Sequence, residues 1–97
     1  MNQAGRVLTV KDFARRRGKT FTARTTAGEI PLLLGEVQEL PASGRDGGAF
    51  RLEFQGPPQP FLPQATYPLG IDGERFEIFL VPLGPQGPRM RYEAIFY

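Results

Sequence analysis

The stretch of residues 76–97, FEIFLVPLGPQGPRMRYEAIFY, places the strongest constraint on how this chain folds. On both sides of its central GPQGP segment the side chains alternate with a period of two, which is typical of paired strands. One face collects Phe76, Ile78, Leu80, Met90, Tyr92, Ala94 and Phe96, and the other collects Glu77, Phe79, Val81, Arg91, Glu93 and Ile95. Proline lacks the N–H that a ladder needs and glycine readily adopts positive φ, so we expect neither strand to continue through residues 84–88.

Four further strands are predicted upstream of this hairpin. They are expected at residues 20–25, 29–40, 50–55 and 64–69, where β-branched and aromatic residues or alternating patterns dominate. Gly35 interrupts the second strand and predicts a β-bulge, whereas Pro31 belongs at a strand start or on an unpaired edge. The last of the four is predicted as a short strand or edge segment, followed by an Asp72-Gly73 turn.

Residues 9–18 predict a short helix. Thr9 is the expected N-cap, Asp12 lies in a capping-box position, and Gly18 is the expected C-terminal stop. A helix this short is not stable alone, so Phe13 is expected to dock on the sheet. Residues 41–48 and 56–63 are glycine- or proline-rich and are expected to be connectors.

These elements indicate one all-β domain over residues 1–97, a small antiparallel barrel or sandwich of about six strands with one short N-terminal helix. The chain has 97 residues, of which 40% are hydrophobic, enough for one core. It contains neither cysteine nor histidine, which excludes disulfides, thiolate and imidazole metal ligands and the usual general base near neutral pH. We expect no cofactor, no metal and no membrane insertion, and a cytoplasmic location at synthesis.

A family resemblance runs in order through nearly the whole chain. The segments that carry it are DF at 12–13, GKTF at 18–21, EVQELP at 36–41, FRLEF at 50–54, GP at 56–57, LPQATY at 62–67, FEIFLVP at 76–82 and RYEAIF at 91–96. The chain resembles a bacterial domain family of unknown function, of roughly the same length, that is loosely associated with phage tail-collar-like fibre proteins. The resemblance implies an all-β assembly or capping partner of such fibres, inside a phage-like particle or an extracellular assembly, and it implies no catalytic residues.

Enzymatic chemistry finds little support in the residues themselves. The one serine, Ser43, lies in a glycine-rich loop beside Arg45 and Asp46, without a histidine to activate it. The glutamate pairs Glu36/Glu39 and Glu74/Glu77 could serve glycosidase chemistry, but they fit outward or turn positions where solvation explains them. We predict that the protein is not an enzyme and has no small-molecule substrate.

Basic residues concentrate near the N-terminus. Residues 1–24 contain seven basic residues against one acidic residue, and the remainder contains five against nine. The predicted anion-binding or nucleic-acid-binding residues are Arg15, Arg16, Arg17, Lys19 and Arg24. The alternative is that the arginines cap the helix and pair with strand glutamates.

The second candidate surface is apolar. Because the predicted hairpin is hydrophobic on both faces, one face is left for another layer of this domain or for another chain. The predicted partner-binding residues are Phe79, Val81, Ile95 and Tyr97, together with Phe61 and Leu62 of the proline-rich segment. Two functions therefore remain open: a structural or assembly module that binds a protein partner or itself, and a small nucleic-acid-binding barrel.

Overall fold

A computed structural model describes residues 7–41 and 48–97. It contains one helix and six strands: α1 (Val10–Ala14), β1 (Thr20–Thr25), β2 (Gly28–Glu39), β3 (Phe50–Gly56), β4 (Ala65–Ile71), β5 (Glu74–Gln86) and β6 (Arg89–Phe96). The strands form a closed barrel in the order β1-β2-β3-β6-β5-β4. All the strand pairs are antiparallel. The all-β prediction with one short helix is confirmed, and the architecture is a barrel. Most of the predicted connector at 41–48 lies outside the described residues.

Local sequence signals act as expected at several points. The β2–β3 register shifts between Leu34 and Glu36, which places the predicted bulge at Gly35. Asp72 and Gly73 both have positive φ, of 53° and 77°, as a tight hairpin turn requires. Pro31 lies within β2 opposite Thr22, while the ladder with β3 begins only at Leu33, so its other side is a local edge.

Two predicted boundaries are corrected, and one open alternative is decided. β5 continues to Gln86, and the turn lies at residues 87–88. β5 tolerates its prolines because the ladder with β4 reaches only Leu80; beyond it β5 pairs with β6 alone, with a register shift after Pro82. α1 ends at Ala14, and a turn fills residues 15–18. Of the two alternatives predicted for residues 64–69, the short strand is the one that forms: β4 is not an edge, because it pairs with both β5 and β1.

The core lies inside the barrel and is rich in aromatic rings. β3 alternates strictly, so that Phe50, Leu52 and Phe54 are buried between partly exposed polar residues. Phe13 of α1 packs at one end against four rings, those of Phe21, Phe50, Phe76 and Phe96. The prediction that Phe13 docks on the sheet is confirmed. At Thr9 the backbone N–H donates to the Asp12 carboxylate at 2.8 Å, so the predicted cap also forms.

Candidate partner-binding surface

The outer side of the β5–β6 hairpin exposes apolar side chains. Val81 lies opposite Glu93 in the ladder, and Phe79 and Ile95 each lie two residues further along on the same face. Phe79 is 50% exposed and Ile95 is 40% exposed, whereas Val81 is partly buried. We call these three residues the outer apolar face. The inner face of the same hairpin is buried at Phe76, Ile78, Leu80 and Tyr92, as the alternation predicted.

A network of charges borders this face on β3 and β6. Arg51 pairs with Glu93 and, at 2.7 Å, with Glu53, while Arg91 donates to both carboxylate oxygens of Glu53 at 2.7 and 3.1 Å. The hydrogen bonds that Glu53 accepts, first from Arg91 and then from Arg51, lower the pKa of Glu53 from 4.5 to about 2. Two cations and two anions cancel, so the network presents no net charge beside the outer apolar face.

Sequence reasoning missed this network. The alternation of β3 and β6 already placed positions 51, 53, 91 and 93 outside the barrel. What the sequence lacked was the register, which sets Arg51 opposite Ile95 and Glu53 opposite Glu93. Once two strands are known to pair, outward residues of opposite charge at facing or diagonal positions are the signal for such a network.

The three other predicted contact residues have different surroundings. Phe61 and Tyr97 are exposed. Leu62 is buried, and its backbone N–H donates to the Tyr92 hydroxyl at 3.0 Å. Its prediction as an exposed surface contact is therefore corrected: the proline-rich segment turns Leu62 toward the barrel and leaves Phe61 outside.

The arginine triplet is divided by the fold. Arg16 is buried, and its guanidinium pairs with Asp72 Oδ2 at 3.2 Å and Glu74 Oε2 at 2.6 Å. It also donates to the backbone carbonyl of Asp12 at 3.3 Å and lies over the Phe76 ring, 5.3 Å from its centroid. Arg16 thus connects the segment after the helix to the β4–β5 turn. For this arginine the alternative prediction, pairing with acidic residues of the barrel, is the one that the structure matches.

The other basic residues remain at the surface. Arg15 is 61% exposed and reaches Glu74 only at 3.6 Å. Arg17 and Lys19 are exposed, and no ion pair joins either of them to another described residue. Arg24 lies five positions along β1 from Lys19, or roughly 16 Å at about 3.3 Å per residue. The structure therefore keeps Arg15, Arg17 and Lys19 near the helix and places Arg24 apart from them.

The residues considered for catalysis do not assemble into a reactive group within the described residues. Ser43 lies outside those residues. Glu36 and Glu39 are exposed on β2, Glu74 binds Arg16, and Glu77 pairs with Arg75 at 2.8 Å. Within residues 7–41 and 48–97, no three acidic side chains are grouped closely enough to hold a metal ion.

Fold and surface together define a small closed antiparallel barrel with an aromatic core and an apolar patch on its outer wall. Residues 8–96 match the family described as a domain of unknown function, DUF6916, and the chain belongs to that family. The expected membership of a domain family of unknown function is confirmed at this level. No curated protein and no solved structure matches the chain. The described part of the chain contains no helix with the length and apolar character needed to cross a bilayer.

Proposed function

We propose that this barrel is a non-enzymatic assembly module that binds a protein partner through the outer apolar face. The observation that carries the proposal is the exposure of Phe79 and Ile95 on a barrel whose core is already complete. Large apolar side chains that lie together on an outer wall are typical of interaction sites. The self-neutralised charges beside them favour an apolar contact over an electrostatic one.

The energetics indicate how large the contact must be. Covering the exposed half of Phe79 would remove about 100 Å² from water. At about 25 cal/mol per Å², that contributes roughly 2.5 kcal/mol, and Ile95 adds about 1 kcal/mol. Association costs at least about 4 kcal/mol in lost freedom of motion. The interface therefore has to extend beyond these two residues, and exposed Tyr97 is the residue we include next.

The partner that we favour is a fibre-forming protein of a phage-tail-like assembly. This choice rests on the family resemblance carried by the segments from residue 12 to residue 96. A compact domain with an apolar patch on its outer wall suits the role of an accessory or capping subunit. A second copy of the same chain is the other occupant that the outer apolar face would accept.

The test replaces Phe79 and Ile95 by Thr, which keeps strand propensity while removing apolar area. Each variant would be co-expressed with the products of the neighbouring genes and purified by affinity, and the molar mass of the purified species would be measured by light scattering. We expect a complex or oligomer with the wild-type chain and its loss in the double variant, with little change between 0.1 and 0.5 M salt. The control is Val7→Thr, because Val7 is 49% exposed but lies outside this face. A monomer that recovers none of these products would refute the proposal.

Nucleic-acid binding is the second candidate, and the observation that favours it is the exposure of Arg15, Arg17 and Lys19. Three phosphate contacts would give a slope of about −2 to −3 in log affinity against log salt. Binding of fluorescent single- and double-stranded DNA and RNA measures this slope. We expect Arg17→Ala with Lys19→Ala to flatten it, whereas Arg24→Ala, roughly 16 Å from Lys19 along the extended chain and paired with Glu29, leaves it unchanged. Absence of retention at low salt would exclude this candidate.

A further inference from the structure

The seam between β1 and β4 is the weakest closure in the barrel. Only two residue pairs join these strands, Thr22 with Gly70 and Ala23 with Leu69. The next position in this register would set Arg24 opposite Pro68, and no pair forms there. Proline has no N–H to give to the ladder, so the strands separate from this point toward the β1–β2 turn.

The separation opens a groove of about 490 Å³ between the β1–β2 turn and the segment that precedes β4. Its lining is largely apolar and includes Phe61, Leu62, Pro63, Tyr67 and Pro68. Two hydrogen bonds hold the outer wall: Leu62 N–H donates to the Tyr92 hydroxyl at 3.0 Å, and the Tyr67 hydroxyl donates to the Pro63 carbonyl at 2.5 Å. The groove is thus preformed, which lowers the entropy that a ligand must lose on binding.

One positively charged side chain, that of Arg24, lies at the edge of this groove. The side chain of Arg24 is 75% exposed, and its one ion pair within the described chain is a loose contact with Glu29 at 3.9 Å. Arg24 also lines the adjoining cleft further along the seam, which contains Glu29, Glu74 and Arg75. This combination offers a carboxylate a place to bind, but the neighbouring glutamates oppose a chain of phosphates.

We propose that the seam groove binds an extended peptide segment that carries an apolar side chain and, close to it, a carboxylate. The apolar side chain lies among Phe61, Tyr67 and Pro68, and the carboxylate pairs with Arg24. In a strand, the N–H and C=O groups of successive residues point alternately to the two sides of the strand. The Arg24–Thr25 stretch of β1 therefore also offers backbone hydrogen-bonding groups to a peptide that lies in the opened seam. An aromatic- and proline-lined groove beside an open strand edge is a recurring way to hold extended peptides.

The groove adjoins the surface proposed above but is a separate site. Thr66 lines the groove and lies opposite Phe79 in the β4–β5 ladder. A protein seated on the outer apolar face could therefore place a terminal or loop segment in the groove. A short peptide does not need the outer apolar face. Its binding to the groove can therefore be tested independently of the proposed assembly role.

The experiment selects a displayed library of random ten-residue peptides on the immobilised full-length chain. We expect enriched sequences with Asp or Glu within a few positions of an aromatic, Leu or Pro residue. A synthetic peptide of the enriched sequence should shift the amide resonances of residues 24–27, 61, 62, 64–67 and 69. Arg24→Glu should weaken its binding by about tenfold, because an attraction at the surface becomes a repulsion. Arg89→Glu, at an exposed position away from the groove, should leave the binding unchanged.

Three results of this experiment would overturn the proposal. They are the absence of any enriched sequence, equal binding of the enriched peptide by wild type and Arg24→Glu, and groove shifts produced by oligo-dT but by no peptide. A second variant tests the origin of the groove, since Pro68→Val restores a backbone N–H that can pair across the seam. We expect that variant to protect an amide at position 68 from hydrogen exchange and to lose the peptide. Unchanged peptide binding in it would count as a fourth contrary result. Phe79→Thr should bind the short peptide normally, which separates this site from the assembly role.

Discussion

Replacing Arg16 by Met tests how the fold uses its arginine triplet. Methionine keeps most of the aliphatic contact with the Phe76 side of the core but removes the guanidinium. The change removes the Arg16 guanidinium from Asp72 and Glu74, and it removes the hydrogen bond from Arg16 to the Asp12 carbonyl. We therefore expect the free energy of unfolding to fall.

The size of the loss follows from the exposure of the two acids. Removing one partner of a fully buried ion pair costs about 3–5 kcal/mol, because the remaining charge stays unpaired in a poor solvent. Asp72 and Glu74 are 51% and 33% exposed, so water can replace part of the lost interaction. The expected loss is about 2–3 kcal/mol. Arg15 contacts the same Glu74, but it is mostly exposed and 3.6 Å away, so Arg15→Met should cost less than about 0.5 kcal/mol.

Urea denaturation of the two variants and the wild type measures this difference. For a domain of this size, with a slope of about 1–1.5 kcal/mol per M, the midpoint should fall by about 2 M in Arg16→Met. It should move by less than about 0.5 M in Arg15→Met. Equal midpoints for the two variants, or a loss below about 0.5 kcal/mol in Arg16→Met, would refute the division of the triplet into one structural and two surface arginines.

Three further predictions concern the core and the charge network. Phe13→Ala should destabilise the protein by about 3–5 kcal/mol, because it empties one end of the barrel, whereas Phe61→Ala should cost under about 0.5 kcal/mol in the same urea assay. Gly56→Ala should cost about 1–3 kcal/mol, because the added Cβ would lie 2.8 Å from Leu32 Cδ2; an unchanged Tm would contradict this. The pKa of Glu53 is lower in the folded chain, about 2 against 4.5, so its contribution is complete above pH 4.5 and is lost as the pH falls toward 2. We expect a loss of about 2 kcal/mol between pH 7 and pH 3 that Glu53→Gln abolishes, and a variant with the wild-type pH profile would assign the loss to other carboxylates.

Local patterns in the sequence were enough for much of the architecture. The alternation in residues 50–55 and 76–96 identified which side chains enter the core, because successive side chains of a strand point to opposite faces whatever the strand pairs with. The Asp72-Gly73 turn, the bulge at Gly35 and the cap at Thr9 were predictable for the same reason, since each depends on residues near one another in the chain. The outward position of Phe79 and Ile95 also followed from this alternation.

Tertiary structure decided which residues become neighbours. Arg15, Arg16 and Arg17 are identical residues, yet only Arg16 is buried and hydrogen-bonded to both Asp72 and Glu74, which are 56 and 58 positions away. The burial of Leu62 depends in the same way on Tyr92, 30 positions away. Strand register likewise joined Arg51 to Glu93, and the closure of β1 on β4 opened the groove at Pro68. Periodicity along a chain sets the face on which a side chain lies. Contact between distant residues depends on how the strands pair and how the barrel closes, which the local pattern of one sequence does not reveal.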